Sequence, residues 1–142
     1  MNEKEQMTND EMRRTNDVFI WTDIGTNPDD ILAILMALRA PELNVVGIST
    51  CVDFQGARVQ FLKTVLETEG KTSIPIGRGK GQTKIQRQDR EFLGASSDFK
   101  EAFPDGMKLF QEVMMKYDHV KVITIGPLTD FAECLDRDHS LD

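Results

Sequence analysis

The sequence predicts an α/β fold, an open Rossmann-like parallel sheet of order 3-2-1-4 with flanking helices. Two observations carry that expectation. Short, β-rich apolar runs alternate with helix-like stretches along the whole chain, the signature of right-handed βαβ crossovers and a parallel sheet. An acidic turn, Asp23-Ile24-Gly25-Thr26-Asn27-Pro28-Asp29-Asp30, follows the first of those runs. In open α/β sheets, ligands bind at that edge, outside the carboxyl ends of the strands.

The elements follow in order. Val18 to Thr22 is apolar and rich in β-formers, as a buried parallel strand requires. Pro28 to Arg39 reads as a helix: Asn27 suits the N-cap, Pro28 the first helical position, and Asp29 and Asp30 the positive end of the dipole. Ile31, Leu32, Ile34, Leu35, Met36 and Leu38 make this helix apolar almost all round, which predicts burial, and Pro41 stops it. Val45 to Thr50 gives a second strand. Gly56 to Glu69 gives a second helix with Val59, Phe61, Leu62, Val65 and Leu66 on one broad face and Gly70 as its stop.

Ile74 to Ile76 is a short third strand, and Gly77 to Asp98, rich in Gly, Gln and charge, reads as a loop. Pro104 to Tyr117 is a third helix, Val120 to Ile125 a fourth strand and Pro127 to Leu135 a last helix. In the usual order strand 1 lies beside strand 4 at the topological switch point. The acidic turn then faces the Ile125-Gly126-Pro127 turn.

A chain of 142 residues suits one domain with a real core. Residues 1–17 are polar and charged and read as a disordered or loosely helical tail, leaving 18–142 as the domain. A formal net charge of -7 argues against a nucleic-acid partner, which needs clustered Lys and Arg. No segment has the length of a membrane span or the apolar core of a secretory signal. Cys51 and Cys134 make neither a zinc motif nor a disulfide framework, which points to a reducing cytoplasm.

The three carboxylates of the acidic turn have two readings. Helix capping alone accounts for Asp29 and Asp30. It does not account for Asp23, which ends the strand before a glycine. A cation or polar-ligand site stands at even odds with simple capping on the residues alone; hard oxygen ligands suit Ca²⁺ or Mg²⁺. By contrast, Gly77-Arg78-Gly79-Lys80-Gly81 lacks the Gly-Lys-Ser/Thr ending of a phosphate loop, and a flexible, solvated loop is the better expectation.

Trp21 to Asp30 resembles the Asp-rich turn that opens the nucleoside hydrolases, the inosine–uridine-preferring N-ribohydrolase superfamily. Leu43 to Thr50 is similar to that family's second strand and Ser73 to Ile76 to its third. Ile123-Thr124-Ile125-Gly126-Pro127-Leu128-Thr129-Asp130 resembles its Gly-Pro-Leu-Thr-Asn turn. The resemblance implies that Asp23 ligates Ca²⁺ and acts as general base on the attacking water. It implies that Asp30 is a second Ca²⁺ ligand, that Ile125 offers its main-chain carbonyl, and that Asp29 hydrogen-bonds a ribose hydroxyl. Asp53 is a stand-in for a substrate-binding residue after strand 2.

The sequence departs from the family pattern at named places. Trp21 stands where the family usually has Asp, which predicts an altered environment around the ion. The family's C-terminal half, with a further Asp ligand and often a His, has no counterpart before Asp142. A sheet that ends at strand 4 predicts an exposed edge, hence self-association or a completing chain. The expected function is hydrolysis of the N-glycosidic bond of purine or pyrimidine ribonucleosides by a Ca²⁺-activated water. The alternative is an impaired remnant or subunit that binds a nucleoside, a pentose or a partner chain without turnover.

Overall fold

The computed structural model describes residues 16–25, 27–81 and 102–137. Four parallel strands form one sheet: β1 (Asn16–Thr22), β2 (Leu43–Thr50), β3 (Ile76–Gly77) and β4 (Val120–Thr124), in the order β3-β2-β1-β4. The helices are α1 (Pro28–Arg39), α2 (Ala57–Thr68), α3 (Gly106–Lys116) and α4 (Thr129–Arg137). The expected fold class and strand order are thus observed, and the bounds of α1 agree at both ends. The other elements shift by one or two residues; β1 begins at Asn16, so Asn16 and Asp17 belong to the strand rather than to the tail.

Strand alternation sends successive β1 side chains to opposite faces, and each face has its own core. Ile20, with Ile48 of β2, packs with Ile34 and Ala37 of α1 and Leu62 and Leu66 of α2. Phe19 and Trp21 pack on the other face with Leu109, Phe110 and Val113 of α3 and Cys134 of α4. Their rings meet edge to face or tilted, with centroids 5.1 Å apart for Phe19 and Phe110 and 5.8 Å for Trp21 and Phe110. Gly47 makes room for this cluster, since a Cβ there would stand 2.7 Å from the Phe19 ring.

The helix starts use different caps. Asp105 accepts from the Met107 and Lys108 N–H groups at 3.0 Å each, so the side chain closes the first turn of α3. Asn27 occupies the N-cap position of α1, but its side chain makes no capping hydrogen bond. α1 is also not buried all round: Ile34 and Ala37 face the core, whereas Leu32 and Met36 are 59% and 73% exposed. The reason is geometric, because a single sheet covers only one side of a helix. Among the described residues no helix is long and apolar enough to cross a membrane.

Candidate functional site

The sheet brings the acidic turn and the turn after β4 together, as the strand order required. The Ile125 N–H donates to the Trp21 carbonyl at 2.9 Å, and the Cys51 N–H donates to the Thr22 carbonyl at 2.8 Å. β4 and β2 thus hold the two flanks of the β1 end. Gly126 then lies directly on Asp23: a Cβ at this position would be 2.7 Å from the Asp23 nitrogen and 3.0 Å from its Oδ1. Only glycine allows this approach. The same Cβ would meet the Cys51 sulfur at 2.5 Å.

Asp30 reaches back from the first turn of α1 into this cluster. Its Oδ2 accepts from the Thr22 hydroxyl at 2.5 Å, and Thr22 Oγ1 in turn accepts from the Ile24 N–H at 3.0 Å. Burial raises the Asp30 pKa above the usual carboxylate range; the neighbouring Asp23 and Asp29 charges add to the rise, while Thr22 and the Asp23 N–H oppose it. Asp29 is exposed on the same turn. Asp23, Asp29, Asp30 and Ile125 therefore gather at one corner of the sheet.

Beneath the turn lies a cation. Arg58 of α2 is 5% exposed and donates through Nη1 to the carbonyls of Asp23 and Ile24, the latter at 2.9 Å, and through Nε to the Val52 carbonyl at 3.2 Å. The guanidinium fork suits this task, because its fixed donors can satisfy several carbonyls at once. Val52 itself has a φ of 53°, an uncommon conformation for a β-branched residue. Such strain persists only where surrounding bonds enforce it, and here it sits beside the site.

Asp53 does not face this corner. It is fully buried, with Oδ1 accepting from the Arg58 N–H at 2.9 Å and Oδ2 from the Val59 N–H at 2.9 Å and the Thr50 hydroxyl at 2.8 Å. These bonds close the first turn of α2. Trp21 turns into the aromatic core, with its Nε1 buried and without a hydrogen-bond partner among the described residues.

The glycine-rich loop is not simply solvated. Gly79 is buried against β2, and a Cβ there would stand 2.0 Å from the Thr50 carbonyl oxygen and 2.7 Å from Asp130 Oδ2. Lys80 pairs with Glu133 of α4. Residues 82–98 of the expected loop lie outside the described residues.

Asp130 completes the surroundings. It is 3% exposed; the Lys80 and Val52 N–H groups meet the carboxylate, while its Oδ2 has no hydrogen-bond partner among the described residues. Burial raises its pKa, against the pull of the Lys80 N–H and charge. Burial together with Asp23 and Asp130 pushes the Cys51 thiol up to about 12, so this cysteine is inert.

The Asp130→Asn variant is expected to be more stable than the wild type at neutral pH by about 1–2 kcal/mol, because the amide carries no charge to desolvate at this buried position. A carboxyl whose pKa is raised on folding loses stability as pH rises from its unfolded value, 3.8, through its folded one. The gain should therefore be small near pH 4 and full at pH 7.5. Thermal midpoints at the two pH values check it, with about 3–6 °C expected at the higher pH.

Oxygen donors that suit a hard cation are present in Asp23, Asp30 and the Ile125 carbonyl. The crowding of Asp23 and Asp29 against Asp30 is the kind of like-charge repulsion that a cation relieves. Among the described residues no group of three His, Cys, Asp or Glu side chains is placed to hold an ion.

The family model for inosine-uridine preferring nucleoside hydrolases matches residues 18–142. The chain is 30% identical over 135 residues to uridine nucleosidase 1 of Arabidopsis thaliana, covering 82% of this chain and 40% of that protein. The plant nucleoside hydrolase PpNRh1 superposes with a TM-score of 0.66 at 24% identity, over 88% of this chain and 44% of its own. The type III effector protein XopQ, solved with adenosine diphosphate ribose, superposes with a TM-score of 0.68 at 20% identity, over 99% and 46%. The chain spans less than half the length of these proteins.

Proposed function

The chain belongs to the inosine-uridine preferring nucleoside hydrolase family, and from that premise we propose that it hydrolyses the N-glycosidic bond of ribonucleosides with the help of a bound Ca²⁺. The observation that supports the reading is the meeting of Asp23 and Asp30 with the Ile125-Gly126 turn, where Gly126 lies so close that a Cβ would stand 3.0 Å from Asp23 Oδ1.

Asp23, Asp30 and the Ile125 carbonyl would hold the ion. When bound, Ca²⁺ supplies a field that lowers the pKa of a neighbouring water and orients ribose hydroxyls. Asp23 accepts the proton of the water that attacks the anomeric carbon, as the electron pair of the glycosidic bond leaves with the base. Asp29, exposed at the mouth of the corner, accepts a hydrogen bond from a ribose hydroxyl and positions the sugar. Thr22 and Arg58 hold the turn that carries these groups. A free nucleoside is the partner, and the relation to uridine nucleosidase 1 favours uridine as the first to try.

Ribose release from uridine and inosine, followed by a reducing-sugar assay with Ca²⁺ or with chelator, tests the proposal. Release that depends on Ca²⁺ is expected; none above the chelated control overturns independent turnover. A second reading is that the chain binds ion and nucleoside without turnover; its support is that, among the described residues, no group of three His, Cys, Asp or Glu side chains is placed to hold an ion. Calorimetry separates the two: a Ca²⁺ heat that vanishes in Asp30→Ala, without ribose release, is the expected result for it. Equal heats in wild type and variant mean that the turn is a helix cap only.

A further inference from the structure

Two buried threonines end the two central strands side by side. Thr22 of β1 and Thr50 of β2 are register partners, and neither is exposed. Threonine and valine have nearly the same shape and both suit strands, so packing alone requires no hydroxyl at either position. A buried hydroxyl is costly unless it is bonded. Both are bonded, and in the same pattern. Thr22 Oγ1 accepts from the Ile24 N–H at 3.0 Å and donates to Asp30 Oδ2 at 2.5 Å. Thr50 Oγ1 accepts from the Gly79 N–H at 3.1 Å and donates to Asp53 Oδ2 at 2.8 Å.

The direction of each relay is fixed by chemistry. An N–H can only donate, so the single hydroxyl proton goes to the carboxylate. The two relays differ in what their carboxylates do next. Asp53 also takes the Arg58 and Val59 N–H groups and closes the first turn of α2. Asp30 lies in the first turn of α1, yet its carboxylate turns back to the end of β1, where the Asp23 N–H meets it as well. Thr22 shares with Ile20 the face of β1 that α1 covers, which brings its hydroxyl to that turn. Ile24, Thr22 and Asp30 are thereby joined as one unit. Asp30 cannot swing away without breaking a short bond between a hydroxyl and a carboxylate.

We propose that Thr22 is a positioning residue for the cation: its hydroxyl fixes the Asp30 carboxylate against the Asp23-Ile24 backbone before an ion arrives. The inference rests on the cation reading of the acidic turn and adds to it the group that presets one of the ligands. A ligand already held in place loses less freedom on binding, so the ion binds more tightly. Thr50 has no such part, because Asp53 serves α2.

Calorimetric Ca²⁺ titration of the full chain, below the thermal midpoint of every variant, tests the proposal. Thr22→Val should raise the dissociation constant by about 10–100-fold. Thr22→Ser, which keeps the hydroxyl, should stay close to the wild type. Thr50→Val breaks the matching relay and is the control: its thermal midpoint should fall while its Ca²⁺ constant stays unchanged. If Thr22→Val does not fold, Thr22→Ala against Thr22→Ser gives the same comparison, since that pair differs by the hydroxyl alone. Absence of a Ca²⁺ heat in the wild type overturns the cation reading and this inference with it. A wild-type heat with an equal constant in Thr22→Val overturns the inference and leaves the cation reading standing. Equal losses in Thr22→Val and Thr50→Val also overturn it, because the hydroxyl would then act through stability alone.

Discussion

Asp23→Asn is expected to lower ribose release from uridine by about 10²–10⁴-fold, the contribution of a positioned general base. The substitution keeps size and shape. The backbone of residue 23 still donates to Asp30, and Gly126 still has room to close on it. On the proposed reading, what is lost is the ability of that side chain to take a proton, together with one charged donor to the cation. The expected signature is a fall in kcat at saturating Ca²⁺ with an unchanged thermal midpoint. A fall in activity that tracks a lower midpoint would instead make Asp23 a structural residue. Raising Ca²⁺ separates the two parts of the loss: binding is restored by mass action, whereas the missing base is not.

Much of this site was legible in the sequence because it rests on local chemistry. Asp23 before a glycine at the end of an apolar strand, and Asp29 and Asp30 at the start of a helix, fix one side of the corner without tertiary information. The alternation of strands and helices then supplied the strand order that brings Ile125 and Gly126 across from them. Asp53 was harder to read for the opposite reason. An aspartate just after a strand suits a ligand site and a helix cap equally well, and the three donors that converge on it are visible only in the structure.

α1 misled through its composition. Its unbroken apolar content predicted burial, but the sheet covers only the side that carries Ile34 and Ala37. Arg58 and Asp130 went unassigned because their partners are remote in sequence: Asp23 and Ile24 for one, Gly79 and Lys80 for the other. A signal existed in each case. Arg58 is a lone cation beside Ala57, Val59 and Leu62 on a face that is otherwise apolar, and Asp130 stands where the family turn carries Asn.

Arg58→Ala is expected to destabilise the protein by about 3 kcal/mol, because three main-chain carbonyls lose a charged donor at a buried position. For a chain of this size that corresponds to a fall of about 10 °C in thermal midpoint. Urea unfolding should show a lower midpoint with an unchanged slope, since the surface exposed on unfolding is the same. Arg58→Lys should recover only part of the loss: a single ammonium cannot match the spread of the Asp23, Ile24 and Val52 carbonyls as the guanidinium fork does. The consequence for function follows from where those carbonyls lie. Two belong to the turn that carries Asp23, and the third belongs to Val52, held at positive φ. Without the clamp, Val52 is free to relax and the Asp23 backbone to drift from Gly126. Ca²⁺ affinity should therefore fall even at temperatures where Arg58→Ala remains folded. Calorimetric titration well below the variant's midpoint checks this, and an unchanged affinity there would confine Arg58 to a role in stability.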